Sequence, residues 1–166
     1  MNEVAQKTDY PLVPSSENDG KYLTFQLIDE GYGIGILKVR EIIGMLPVTP
    51  VPQTPGFLKG VINLRGQVIP VVDLRLKFGL PEEEYTERTS IIVVEVKGLT
   101  NNIPIGIVVD TVSEVINIQA HEIEPAPAFG STIDMNFILG MTKTSDGVKI
   151  LLNIDLVLSA EELGAM

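Results

Sequence analysis

The sequence predicts a mainly β protein: two small five-stranded β-barrels that arise from an internal duplication, with short helices. Three observations carry this. Valine and isoleucine make up 37 of the 166 residues against only 6 alanines, and β-branched side chains suit a pleated, packed surface while losing rotamer freedom in helices. Fifteen glycines and eleven prolines punctuate the chain as expected for many short strands joined by tight turns. The third observation is a repeat whose elements recur in the same order. Phe57-Leu-Lys-Gly60 is echoed by Phe137-Ile-Leu-Gly140. Gly66 to Leu74 is echoed by Gly147 to Leu156 with one inserted residue. Gly35-Ile36 and Val39-Arg-Glu41-Ile42 are echoed by Gly106-Ile107 and Val112-Ser-Glu114-Val115, and 22–27 matches 91–96. Five short antiparallel strands with one apolar face close into a barrel that leaves few exposed edges. Two barrels side by side form a groove, and a groove between modules is a natural binding place.

Each element follows in turn. Residues 1–20 are polar, carry Pro11, Pro14 and Ser15-Ser16, and have no sustained periodicity; a disordered tail is expected. Residues 21–28 alternate as a strand, with Tyr22, Thr24, Gln26 and Ile28 on one face and Leu23, Phe25 and Leu27 on the other. Asp29-Glu30-Gly31 turns it into a partner strand over 32–36. Residues 37–43 predict one helical turn and then a strand. Four prolines between Pro47 and Pro55 remove backbone donors and make an extended loop. Pro52-Gln53-Thr54-Pro55 fits a PxxP ligand, but it lies between folded elements, so the loop reading is preferred.

Residues 60–64 and 67–72 read as strands around an Arg65-Gly66 turn, where glycine supplies a positive φ. Pro70 implies an edge or a bulge. Asp73 caps a short helix over 74–78, closed by Gly79 and Pro81. Further strands are expected over 90–96, 103–109, 114–118, 137–142 and 148–154. Asp155 and the capping box Ser159-Ala-Glu-Glu162 favour a short C-terminal helix. The domain reading is a tail over 1–20, two intertwined barrel subdomains over 21–160, and a helix end over 161–166.

Composition excludes several functions. The chain has no cysteine and one histidine, His121, so disulfides, thiolate catalysis, Cys-ligated metals and multi-His sites are excluded. The net charge of −10 disfavours nucleic acid and anionic membrane as partners. No apolar run approaches the ~18 residues of a membrane span, and the N-terminus lacks a secretory pattern; a cytoplasmic protein is expected. Against this acidic background, residues 38–77 hold six basic and two acidic side chains, a local excess that suits an acidic protein partner.

Catalytic motifs fare poorly. Gly31-Tyr-Gly33-Ile-Gly35 has Ile36 where a dinucleotide fingerprint needs glycine, and no acidic residue occurs between Glu41 and Asp73 to hold a ribose. His121-Glu122 lacks the second histidine of a zinc motif. A nucleophile elbow and a phosphate-binding loop are absent. Asp73, Asp110 and Asp155 leave a small carboxylate-dependent hydrolase, with Arg65, as a rival of a different class. Asp73 and Asp155 occupy equivalent places in the repeat, and helix capping explains them without catalysis.

The remaining motif is Asn63-Leu64-Arg65-Gly66, inside the long run from Gly60 to Arg75. This stretch resembles the CheW family, the chemotaxis coupling proteins. So do Tyr32-Gly33-Ile34, Ile36-Leu-Lys-Val-Arg-Glu-Ile42, Thr54-Pro55-Gly-Phe57, Gly106-Ile-Val-Val-Asp110, Val112-Ser-Glu-Val115 and Pro125-Ala-Pro127, in the same order. The resemblance covers about residues 21–160; the tail is unmatched. It implies two SH3-like barrels, no catalysis, no cofactor and no metal. It further implies a cytoplasmic adaptor recruited to receptor arrays, joining the histidine kinase CheA, through that kinase's CheW-like regulatory domain, to the cytoplasmic tips of methyl-accepting chemoreceptors. Carried over by motif, the receptor site falls on Val39, Glu41, Gly60, Asn63 and Arg65, with Val115 on the second barrel's side. No kinase-contact residues follow from it. A CheW-like regulatory domain of a larger kinase, or a coupling protein fused to a receiver domain, shares the same resemblance.

Overall fold

The computed structural model describes residues 20–98, 100–125 and 135–158. The tail reading, Pro127 and the Ser159–Glu162 capping box lie outside the described residues.

Among the described residues ten strands form: β1 (Gly20–Leu27), β2 (Glu30–Gly35), β3 (Val39–Gly44), β4 (Leu58–Leu64), β5 (Gln67–Asp73), β6 (Ser90–Lys97), β7 (Asn102–Val109), β8 (Thr111–Ile118), β9 (Ile138–Thr144) and β10 (Gly147–Leu152). The expected helical turn is a three-residue 3-10 helix, Ile36–Lys38, directly before β3. Two one-turn helices, α1 (Leu74–Lys77) and α2 (Ile154–Val157), follow β5 and β10.

The strands make two five-stranded sheets, ordered β8-β1-β2-β10-β9 and β3-β6-β7-β5-β4. Replacing each strand by its repeat partner turns one order into the other. Each barrel takes its first two strands from one half of the chain and its last three from the other. The sheets are also mixed, where antiparallel ones were expected: β10 pairs in parallel with β2, and β5 with β7.

Closure is symmetric too. Beyond β3 the chain curves back, and Thr49 exchanges both backbone hydrogen bonds with Val61 on β4, at 2.8 and 2.9 Å. Beyond β8, Glu124 does the same with Met141 on β9, both at 2.8 Å. The residues before these partners are the repeated glycines. A Cβ on Gly60, whose φ is +144°, would fall well inside contact distance of the Thr49 carbonyl, and one on Gly140 would crowd Ile123 and Glu124.

Burial explains the apolar runs. Tyr22 to Phe25 and Ile91 to Val94 are buried on both strand faces rather than one. One face of β6, Ile91 and Val93, fills the interior of its own barrel together with Ile62, Ile69, Val71 and Val108. The other face, Ile92 and Val94, joins Leu23, Phe25, Ile34, Val72 and Ile107 in a seam shared by the two barrels. A strand covered on both sides reads as continuous hydrophobicity. Phe25, Tyr32, Phe78 and Phe137 line up in this seam with successive centroids 5.9–6.4 Å apart.

Pro70 sits in an interior strand, yet pairs only with Val61, because β5 meets β7 from Val71 onward. Proline is tolerated there since its missing donor faces no neighbour. Asp73 caps α1 as expected, accepting from the Arg75 amide at 2.9 Å. Asp155 does not cap. Asn153 is the residue equivalent to Asp73, and its Oδ1 accepts from the amides of Asp155 at 3.1 Å and Leu156 at 3.3 Å. The repeat therefore needs no inserted residue: Val68 matches Val148, and Arg75 matches Asp155.

Candidate functional site

Asn63 and Arg65 stand at the tip of the β4–β5 hairpin. The tip is a two-residue turn in which both Arg65 (φ +53°) and Gly66 (φ +88°) are left-handed, the conformation whose twist matches the flanking strands. Glycine adopts it freely; arginine does so at a cost. Asn63 Oδ1 accepts from the Gly66 amide at 2.8 Å and fixes the turn. Arg65 is thereby projected from a rigid loop with 68% of its side chain exposed.

Glu41 comes from the far side of the sheet. β3 and β4 are the two outer strands of their sheet order, and barrel closure brings them together so that Arg65 donates to the Glu41 carboxylate. A bulge at Arg40 shifts the β3–β6 register, so that Val39 pairs with Val94 and Glu41 with Val93, and these two half-buried side chains take opposite faces of the sheet. Val39 packs against the shared seam, and Ile42 is exposed. Gly60 is buried beneath the Thr49 strand, where it shapes the rim and offers no side chain.

Val115 belongs to the other sheet, on β8 opposite Leu23. It is exposed, as is its repeat counterpart Ile42. β8 carries a bulge at the matching place, where Thr24 Oγ1 donates to the Glu114 carbonyl at 2.8 Å and accepts from the Glu114 amide at 3.1 Å. The structure thus unites Glu41, Asn63 and Arg65 in one polar group, sets Val39 and Gly60 in the same barrel, and leaves Val115 on the neighbouring one. A shallow open depression lined by Glu124, Met141, Thr142, Lys143 and Val148 shares none of the six.

The three carboxylates weighed for hydrolysis are separately engaged. Buried Asp73 caps α1 and accepts from the Tyr85 hydroxyl at 2.8 Å. Burial first, and then this bond, push the Tyr85 hydroxyl pKa well above the usual tyrosine range. Asp110 accepts from Arg75 Nε at 2.8 Å and Nη2 at 2.5 Å, a bidentate pair whose hydrogen bond holds the guanidinium pKa up. Asp155 accepts from Lys38 Nζ at 2.6 Å and the Lys97 amide at 2.9 Å. Sequence reading noted Asp110 and Asp155 but not their cations. Sites 35 and 117 residues apart leave no local spacing to reveal a pair.

Among the described residues, no cluster of His, Asp and Glu is arranged to hold a metal, and no helix is long and apolar enough to cross a membrane.

Comparison with known proteins bears on the family and the fold. Residues 21–162 match the family model for the CheW-like domain. The chain is 42% identical over 143 residues to the chemotaxis protein CheW of Klebsiella aerogenes, covering 86% of this chain and 84% of that one. It is 36% identical over 146 residues to the CheW of Rhizobium meliloti, covering 87% and 92%. The crystal structure of the scaffolding protein TtCheW from Thermoanaerobacter tengcongensis superposes with a TM-score of 0.76 at 36% identity, covering 89% of this chain and 97% of that one.

Proposed function

This chain belongs to the CheW family of non-catalytic chemotaxis scaffold proteins, and from that membership we propose that it couples the histidine kinase CheA to the cytoplasmic tips of chemoreceptors. Membership also removes the hydrolase alternative. The receptor site is Val39, Glu41, Gly60, Asn63, Arg65 and Val115, and the kinase is met through its CheW-like regulatory domain by pairing of like barrels. Recruitment to membrane-bound receptor arrays follows from the receptor contact.

The observation that carries the site is the Glu41–Asn63–Arg65 group. Arg65 is exposed on a turn that needs no reordering when a partner arrives, and preorganisation lowers the cost of binding. A guanidinium has five donors, so an arginine paired with one carboxylate still has donors for the carbonyls or carboxylates of a helical hairpin. Val39 and Val115 supply apolar contact beside it.

The test is co-sedimentation of the purified chain with CheA and a receptor cytoplasmic fragment. All three should sediment together, and either binary pair should form without the third. Competition between kinase and receptor for one surface of this protein would overturn the bridging reading.

A further inference from the structure

The chain crosses from one barrel to the other at two places within its halves. One is the three-residue helix Ile36–Lys38 between β2 and β3; the other is the single residue Asp110 between β7 and β8. Each crossing carries one member of a long-range ion pair whose other member is the second residue of a short helix. Lys38 is held by Asp155 of α2 at 2.6 Å, and Asp110 by Arg75 of α1 at 2.5 Å. Arg75 and Asp155 are repeat equivalents, so the two clasps match in place but have opposite polarity.

In both clasps the carboxylate also accepts a backbone amide at the β1–β2 or β6–β7 hairpin. Ile28 N donates to Asp110 Oδ2 at 2.6 Å, and Lys97 N to Asp155 Oδ1 at 2.9 Å. Ile28 and Lys97 are equivalent positions too. The same linkage thus occurs twice with cation and anion exchanged, which picks out the link itself as the shared feature.

What the clasps fix follows from their surroundings. The barrels are already joined by a broad apolar seam, which is non-directional and tolerates small slips. A hydrogen-bonded ion pair is directional. Lys38 is immediately followed by β3, which begins at Val39 and bears Glu41. Asp110 is immediately followed by β8, which bears Val115. Each of these strands is bulged within its first residues, where register is least determined by the ladder.

We infer that Lys38–Asp155 and Arg75–Asp110 are positioning pairs: they anchor the starts of β3 and β8 and so hold Val39, Glu41 and Val115 in the geometry the receptor meets. This rests on the receptor reading above. None of the four contacts the receptor in this scheme.

The test uses the full chain with Lys38→Met, which keeps length and loses charge, and Lys38→Arg, which keeps both length and charge. Amide hydrogen exchange and receptor-fragment affinity are measured on each. Lys38→Met should speed exchange of the 39–43 amides about tenfold, as a local opening, while β4 and β5 stay protected. Receptor affinity should fall in parallel, and Lys38→Arg should restore both. Unchanged exchange in β3 would overturn the anchoring. Faster exchange with unchanged receptor affinity, in a protein whose Arg65→Ala variant does lose affinity, would overturn the positioning role. If the wild-type chain binds no receptor fragment, the receptor reading fails and the site-positioning role fails with it, while the exchange data still decide the anchoring.

Discussion

Arg65 joins two demands that are separable by substitution. Its pair with Glu41 is solvent-exposed, and exposed pairs contribute about 0–1 kcal/mol. Its left-handed backbone costs on the order of 1 kcal/mol for a residue with a Cβ. Arg65→Gly should therefore leave the melting temperature level or slightly raised, because backbone relief offsets the lost pair. Arg65→Ala should lower stability by no more than about 1 kcal/mol. Both variants should weaken receptor binding at least about tenfold, the loss expected when a charge-assisted contact is truncated, and leave kinase binding near wild type. Equal loss of both partners would mean that Arg65 acts through the fold.

Tyr85 offers a pH test. Its hydroxyl donates to buried Asp73, and burial is the largest cause of its raised pKa. The folded state thus disfavours phenolate relative to the unfolded chain. A folded-state pKa above the unfolded value gives stability that is complete below about pH 10 and lost as pH rises toward the folded value. Burial raises the Tyr32 hydroxyl in the same way, so spectrophotometric titration should show both tyrosines ionising only as the protein unfolds in alkali. Tyr85→Phe should reduce that late step by one tyrosine and cost about 1–2 kcal/mol at neutral pH, since Asp73 loses a donor.

The next level up is the hairpin and its closure, where Gly60 is decisive. It was assigned to the receptor site by motif, yet it is buried under Thr49 with a positive φ. A methyl group there must push the Thr49 strand away and break its two bonds to Val61. Gly60→Ala should lower stability by roughly 3 kcal/mol or more, as overpacking and backbone strain combine, and both partner affinities should fall together. Gly140→Ala, at a position without positive φ, should cost less. Melting curves of the pair check the ranking; equal and small losses would show that closure is not tight.

These elements also show what local sequence signals reach. Arg65-Gly66 and Asp73 were legible because turn and cap chemistry involve residues two or three apart. The Gly60 and Gly140 repeat was legible as a pattern, but not as a close approach, because Thr49 and Glu124 arrive from β3 and β8. No local spacing singles out Glu41 as the partner of Arg65, for the same reason: the pair exists only once the outer strands of one sheet meet. The equivalence of Asn153 with Asp73 was obscured because Asp155 matches chemically at the wrong position.

The exchange of strands between barrels has a geometric cause in the lengths of the crossings. Suppose one half closed on itself in the order β3-β1-β2-β5-β4. β3 would then run antiparallel to β1, hence parallel to β2, and would begin at the end of the barrel opposite to where β2 finishes. Six residues of strand at ~3.3 Å each put those ends about 20 Å apart. The step from Gly35 to Val39 spans at most about 14 Å, and in the structure it is coiled as a 3-10 helix. β3 is therefore delivered to the second barrel, and the one-residue step at Asp110 delivers β8 to the first. Repeats identify like units and do not say which copy pairs with which, so the duplication could be read while the exchange depended on this reach argument. It follows that a chain cut between Glu87 and Arg88, in the loop joining the halves, should give two fragments, neither of which folds as a monomer. Each lacks the parallel partners of its own strands: the first fragment lacks β10 for β2 and β7 for β5, and the second lacks β2 for β10 and β5 for β7. Mixed one to one, they should recover the full-length circular dichroism spectrum and melt in one transition whose midpoint rises with concentration, as mass action requires. A fragment that associates with itself would still obey the reach argument, since two copies can exchange strands as the two halves do. A single fragment that sediments as a monomer and melts cooperatively would refute it.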